Sequence, residues 1–175
     1  PGQIVLERYR VETLLGEGGM GQVYRAQHIL LDSPVALKIL LLGQDAELLA
    51  RFEREAKLMA RVRHPNVVTL LDYGLVDGSV PCIVMEYLEG ESLTDRLERR
   101  VRLPWGEAID IVRQVLAGLA VAHAAEIVHR DIKPSNIMLA RDAEETVKLI
   151  DFGIARSTRE GTTRYTQSGA IIGTP

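Results

Sequence analysis

A lysine stands in the middle of an apolar run, Val35-Ala36-Leu37-Lys38-Ile39-Leu40, and any fold that uses this run must dispose of that ammonium. Strand alternation puts Ala36, Lys38 and Leu40 on one face and Val35, Leu37 and Ile39 on the other. Lysine is almost never fully buried without a partner, so an edge strand with the ammonium in water is the competing reading. The next segment offers a partner. Residues 44–63 lack Gly and Pro, and at about 100° per residue Leu48, Phe52, Glu55, Met59 and Val62 fall within an arc of roughly 80°. Glu55 therefore lies on the apolar face of the predicted helix, while Glu53 and Arg54 point elsewhere. A carboxylate on that face and a strand lysine predict an ion pair that would position Lys38 on a phosphate.

Upstream, Gly16-Glu17-Gly18-Gly19-Met20-Gly21-Gln22-Val23 fits G-x-G-x-x-G-x-V, whose small residues let backbone N–H groups approach phosphate oxygens. A glycine-rich hairpin turn fits the same letters. The segments on either side, 9–15 and 22–27, both read as strands, whereas a dinucleotide fingerprint must open a helix. A Walker A loop would need Gly-Lys-Ser/Thr, and Gly21-Gln22-Val23 is not that.

Further strands are expected at 34–41, 67–73 and 82–87, the last two joined through a 74–81 turn region. After Leu88 the pattern changes. Ser92 can cap a short helix, and Pro104 opens a long one in which Ile109, Val112, Leu116, Leu119 and His123 recur at helical spacing. Short strand-like pieces at 136–140 and 146–150 precede a polar tail, 156–169. The Arg96 to Arg102 charge cluster reads as a solvated helix end and loop.

With 175 residues, 46% hydrophobic and 26% charged, the chain suits one ordinary soluble domain or two small lobes. A net charge of -3 supplies no basic excess for a nucleic-acid partner. Cys82, the lone cysteine, cannot form an intramolecular disulfide, which points to a reducing, cytoplasmic setting and to a small core residue in a strand. The longest apolar run, 115–122, is far short of the ~20 residues of a spanning helix, so no membrane segment is expected in the chain. The N-terminal residues lack the pattern of a signal peptide.

Val128-His129-Arg130-Asp131-Ile132-Lys133-Pro134-Ser135-Asn136 crowds a carboxylate, two cations and an amide together, an expensive arrangement unless a polyanion and a metal share it. Twenty positions after Asp131, an apolar strand ends in Asp151-Phe152-Gly153. These motifs in this order resemble the protein-kinase family, whose signature is G-x-G-x-x-G-x-V, V-A-I-K, H-R-D with Asn five residues after the Asp, and D-F-G. Val-Ala-Leu-Lys differs from V-A-I-K by one apolar swap. Arg54-Glu55-Ala56 and His64-Pro65-Asn66 also look like the family. Lys133, two residues after Asp131, is similar to the Ser/Thr-specific members, and the Arg51-Phe52-Glu53-Arg54-Glu55-Ala56 and glycine-loop wording resembles bacterial kinases of the eukaryotic type.

The resemblance implies an α+β, bilobal fold: a small antiparallel sheet lobe with one key helix over 1–88, then a partial, mainly helical lobe over 89–175. It implies ATP and Mg²⁺ as cofactors, with Mn²⁺ able to take the metal's place, and Ser/Thr residues of proteins as acceptors. Lys38 would hold the α and β phosphates and pair with Glu55. Asp131 would accept or orient the hydroxyl proton, Lys133 would stabilise the transferring phosphoryl group, and Asn136 and Asp151 would ligate the metal. Gly16, Glu17, Gly18, Gly19, Met20 and Gly21 would cover the phosphates. Leu15, Val23, Ala36, Met85 and Met138, with the backbones of Glu86 and Leu88, would surround adenine. His129, Phe152, Met59 and Leu70 resemble an internal apolar column, so His129 is expected to be structural, as are His28, His64 and His123.

Arg130 is similar to the arginine of kinases switched by a phosphate in the activation segment. Thr162, Thr163, Thr166 and Ser168 are the candidate acceptors, and autophosphorylation leaves room for a homodimer acting in trans. The family pattern continues to an Ala-Pro-Glu motif beyond Pro175, so the substrate-binding part is expected to be missing and the isolated chain to bind nucleotide weakly and phosphorylate poorly. An ATP-binding scaffold without activity and a small-molecule phosphotransferase are the alternatives.

Overall fold

The computed structural model describes residues 1–18, 21–41, 46–141 and 145–152, which group into two units. The first comprises 1–61 and 69–87, the second 62–68 and 88–152.

In the first unit six antiparallel strands, β1 (Ile4–Val5), β2 (Tyr9–Gly18), β3 (Gly21–His28), β4 (Ser33–Leu40), β5 (Leu70–Val76) and β6 (Val80–Glu86), lie in the order β1-β2-β3-β4-β6-β5. Alternation sends Val11, Ala26, Val35, Leu37, Cys82 and Val84 into one core with Val5 and Tyr9. The sheet curls until strands far apart in its order meet. The Tyr9 hydroxyl of β2 donates to Asp72 of β5 at 3.1 Å, and Leu6, beside β1, fills the space where a Cβ on Gly74 would lie 2.7 Å from its side chain. One helix, α1 (Ala46–Met59), turns Phe52, Ala56 and Met59 inward, and the Phe52 ring meets Tyr73 edge-on at 6.3 Å.

Three boundaries differ from the sequence reading: the helix expected over 44–63 ends at Met59, leaving Val62 outside it, and two strand boundaries also move. The strand expected at 67–73 is instead Leu70–Val76, because Val67 pairs with Leu149 in a parallel bridge and Val68 N–H donates to Leu149 O at 2.9 Å. The region expected to turn at 74–81 is mostly strand. The reversal is confined to 77–79, where Asp77 and Gly78 both take positive φ. Pro81 is tolerated in β6 because pairing with β4 begins only at Cys82, so its missing N–H interrupts no ladder on that side.

The second unit has a three-stranded sheet, β7 (Gly90–Ser92), β8 (Ile137–Ala140) and β9 (Thr146–Leu149), with α2 (Leu93–Arg100) and α3 (Trp105–Ala124). Ser92 caps α2 through a reciprocal box with Asp95, and Pro104 stands at the N-cap of α3. The stripe Ile109, Val112 and Leu116 is exposed; α3 buries the neighbouring stripe Ile111, Val115, Gly118 and Ala122. Small residues decide this choice. A Cβ on Gly118 would sit 2.7 Å from Asn66 O, so only glycine lets α3 approach the 62–68 segment so closely.

The Arg96 to Arg102 cluster is not simply solvated. The Arg96 side chain is only 10% exposed and reaches Glu91 on β7, Glu107 on α3 (2.7 Å) and Glu145 before β9. Arg99 and Arg100 extend the network to Glu91 (2.7 Å) and Glu107 (2.9 Å). A planar guanidinium spreads five donors over a rigid fork and so reaches three separated carboxylates, a geometry that the compact three-donor ammonium matches poorly. We therefore expect Arg96→Ala to destabilise the second unit by ~2–4 kcal/mol, below the full cost of orphaning a deeply buried pair because the carboxylates stay partly in water. Urea denaturation checks this, and Arg96→Lys is expected to recover less than half of the loss.

Two core groups make the fold sensitive to alkali. Burial pushes the Cys82 thiol up to about 11 and, with the Asp72 charge beside it, the Tyr9 phenol up to about 12. Both are held protonated in the fold more firmly than in the unfolded chain, so the stability they contribute is complete below pH ~9 and drains away as pH climbs towards ~12. Melting temperatures across that window should fall steeply in the natural chain and less steeply in Tyr9→Phe.

Candidate active site

The register of the first unit lines up residues that the sequence only suggests are neighbours. Gly16, Val23, Lys38, Ile83 and Tyr73 stand opposite one another across five strands, and Thr13, Arg25, Ala36, Met85 and Leu70 form the adjacent row on the same face. Lys38, Val23, Ala36 and Met85 thus share one face, opposite the core around Leu37 and Val84. The competing edge-strand reading of Lys38 fails: β4 is flanked by β3 and β6, and Lys38 is 9% exposed. Because Phe52 of α1 rests on Tyr73 at the end of the Lys38 row, α1 packs on this same face. Glu55, half-buried, lies between Phe52 and Met59 on the helix's inward side.

The glycine-rich segment is built into the strands rather than hung from them. Gly18 pairs with Gly21 directly, and Gly16 and Glu17 are exposed strand residues. Gly21 has φ +145°, and a Cβ there would lie 1.9 Å from Ile39 O, so no other residue fits. The β2–β3 register slips between Leu14 and Gly16, leaving Leu15 in a bulge, a device frequent beside functional sites. Gly19 and Met20 lie outside the described residues. One residue past Met85, Glu86 is tied to Thr69 twice: its N–H donates to Thr69 O at 3.0 Å, and its carboxylate accepts from Thr69 N–H at 2.7 Å.

In the second unit a short 3₁₀ turn, Pro134–Asn136, brings Asn136 back onto Asp131. The buried Asn136 amide donates to Asp131 O at 2.8 Å and to Asp131 Oδ2 at 3.1 Å, while Lys133 Nζ stands 3.0 Å from the same Oδ2. These contacts fix the plane of a carboxylate whose side chain is 10% exposed. Ile150 joins this loop to the end of β9. Its N–H donates to Asn136 O at 3.0 Å, and its carbonyl meets His129 Nε2 at 2.8 Å. Asp151 follows at once, with φ +59°, and Arg130 has φ +62°. Asp151 itself and Arg130, the neighbour of Asp131, are two of the eight non-glycine residues with positive φ among the described residues.

Burial drives the His129 pKa down, so the ring is neutral. Its Nε2–H faces the Ile150 carbonyl, and its Nδ1 faces Asp131 N–H at 3.4 Å. Phe152 packs on it at 4.5 Å. His129 is thereby a brace, as expected. Asn136 spends its amide nitrogen on Asp131, leaving a carbonyl oxygen as its remaining group; with the Asp151 carboxylate this is an all-oxygen donor set, which suits Mg²⁺. Met138 and Leu88 are half-buried in this unit. Thr162, Thr163, Thr166 and Ser168 lie outside the described residues.

Two roles escape the sequence reading. Asn66 donates to Val147 O (2.7 Å) and to Gln114 Oε1 (2.9 Å), which also accepts from Val147 N–H (3.0 Å), tying 62–68 to α3 and β9. Arg25 lies in the Ala36 row; its place two residues after Val23 was the available signal.

The protein kinase domain model matches residues 9–174. Serine/threonine-protein kinase pkn3 of Myxococcus xanthus is 44% identical over 99% of this chain and 33% of its own length. PknB of Mycobacterium leprae is 40% identical over 96% of this chain and 27% of its own. The chain thus spans about a third or less of these relatives. Among solved structures, the Mycobacterium tuberculosis PknI kinase domain superposes with a TM-score of 0.77 at 36% identity, covering 87% of this chain and 62% of that one. Rad53 in complex with AMP-PNP gives 0.75 at 26% identity, covering 84% and 38%.

Removing the brace has a measurable signature. His129→Ala should cost ~2–4 kcal/mol in chemical denaturation, from lost packing and two unsatisfied backbone groups. In the natural chain the lowered His129 pKa means that its contribution is complete above pH ~6.5 and lost as pH falls below it. The variant should show a flatter acid limb.

Proposed function

The chain belongs to the protein kinase domain family, and on that premise we propose that it transfers the γ-phosphoryl group of ATP to Ser or Thr hydroxyls of proteins. The observation that carries this reading is the grip on Asp131: Asn136 and Lys133 hold one of its oxygens, and Ile150 links their loop directly to Asp151. A carboxylate so fixed can orient a hydroxyl and take its proton as the phosphoryl group departs. Lys133, already beside Asp131, balances charge gathering on the transferring oxygens. Bound Mg²⁺, held by Asn136 and Asp151, would neutralise phosphate charge. In the first unit Lys38, kept in line by Glu55, holds the α and β phosphates, with Val23, Ala36 and Met85 as apolar contacts for adenine; in the second unit Met138 is assigned the same role.

The AMP-PNP in complex with Rad53 supports a nucleotide as ligand, and the names of the relatives support Ser/Thr acceptors. Autophosphorylation at Thr166 or Ser168 in the cytoplasm, with a second copy acting in trans, belongs to the same reading.

Asp131→Asn separates chemistry from binding. In a form of the protein that is active, we expect phosphate transfer from labelled ATP to a generic basic protein to fall ~100-fold or more, with ATP affinity within about twofold of that of the unsubstituted form. Weakened ATP binding with unchanged turnover would reverse the role given to Asp131, and Lys38→Met should abolish most transfer.

A further inference from the structure

Arg25 stands on the Lys38 face yet takes no part in the roles assigned above. Its row runs Thr13, Arg25, Ala36, Met85. The sheet is deformed locally at this point: pairing passes from Val11↔Ala26 to Thr13↔Arg25, so Glu12 and Thr13 together oppose the single residue Arg25. This bulge puts the Glu12 carboxylate beside the guanidinium, with Arg25 Nη1 3.3 Å from Glu12 Oε2. The two form an ion pair although both side chains remain partly exposed, at 42% and 33%. Arg25 Nε and Glu12 Oε2 are both buried without a well-formed hydrogen bond, an unusual outlay for two charged groups in a strand pair.

The guanidinium has a second neighbour. Arg25 Cζ lies 5.4 Å from the centroid of the Tyr87 ring, within the reach of a cation–π contact. Tyr87 follows Glu86, which Thr69 ties down through its N–H and its carboxylate. The strand leaving β6 is thus held at two successive residues by different means, Glu86 by backbone pairing and Tyr87 by a charged plane beneath its ring. The curvature of β2 at Glu12 is what carries this charge into place.

We propose that Arg25, fixed by Glu12, is a positioning residue for the adenine base: by holding the Tyr87 ring it sets the direction of the 86–88 backbone that meets the base edge. The inference rests on the nucleotide reading above and adds to it a residue that touches neither phosphate nor metal. It explains why a bulge, a carboxylate and an arginine are spent on the face of the sheet that carries Ala36 and Met85. An arginine there to meet phosphates would sit in the Lys38 row.

The test uses calorimetric titration of the chain with ATP and, separately, with adenosine, which has the base but no phosphate. Arg25→Met should weaken both ligands by the same factor, about 2- to 5-fold, the range a half-exposed cation–π contact supplies. Arg25→Lys should lose less, as should Tyr87→Phe relative to Tyr87→Leu, and the Arg25→Met/Tyr87→Leu double variant should bind no worse than the weaker single. Loss of ATP affinity with adenosine unchanged would overturn the inference by placing Arg25 on the phosphates, and unchanged affinity for both with a lowered melting temperature would reduce it to a structural residue. These results leave the nucleotide reading standing. If the natural chain binds neither ligand, that reading falls and this inference falls with it.

Discussion

Both backbone polar groups of Ile150 are spent on the loop that carries Asp131, one on the Asn136 carbonyl and one on the His129 ring. A residue anchored on both sides has little freedom in its own dihedrals, and it passes that restraint to Asp151, which is held in the left-handed region against its intrinsic preference. The two carboxylates of the second unit are therefore not independent placements. Burial of a neutral imidazole is the condition for both, because a charged ring could not accept from Asp131 N–H.

The first unit solves a different problem, presenting a lysine from the interior of a sheet. A curled six-stranded sheet with its apolar residues turned to one core leaves the opposite face for Val23, Ala36, Lys38 and Met85, and one helix covers the end of the Lys38 row. Glycine at position 21 is a condition of this arrangement, since a side chain there would drive β3 off the backbone of β4.

Much of this was legible in the residues, for physical reasons. Helical periodicity alone placed Glu55 with Phe52 and Met59, because a 14-residue helix packed on a sheet must segregate its faces. Strand alternation likewise separated Lys38 from Leu37. The misses share a cause. Arg96 looks like one more surface charge until Glu107, 11 residues on, and Glu145, 49 residues on, are brought beside it. The β1 and β7 strands, two and three residues long, carry too little alternation to be read. Val67 and Val68 have the composition of a strand and are claimed by Leu149 instead.

That last exchange bears on how the molecule can be made. The chain leaves the first unit after Arg61, contributes 62–68 to the second, and returns at Thr69. The Asn66 side chain finds its acceptor on Val147, 81 residues downstream. During synthesis this stretch emerges long before β9 exists, with Val67 and Val68 exposed and the Asn66 amide satisfied only by water. The first unit can form its hairpins early, since β2–β3–β4 are local, but the passage between α1 and β5 can set only after nearly the whole described chain is available. Neither unit is therefore a detachable cassette. An exchange of parts between related chains would have to carry 62–68 together with α3 and β9, though the three lie far apart along the sequence.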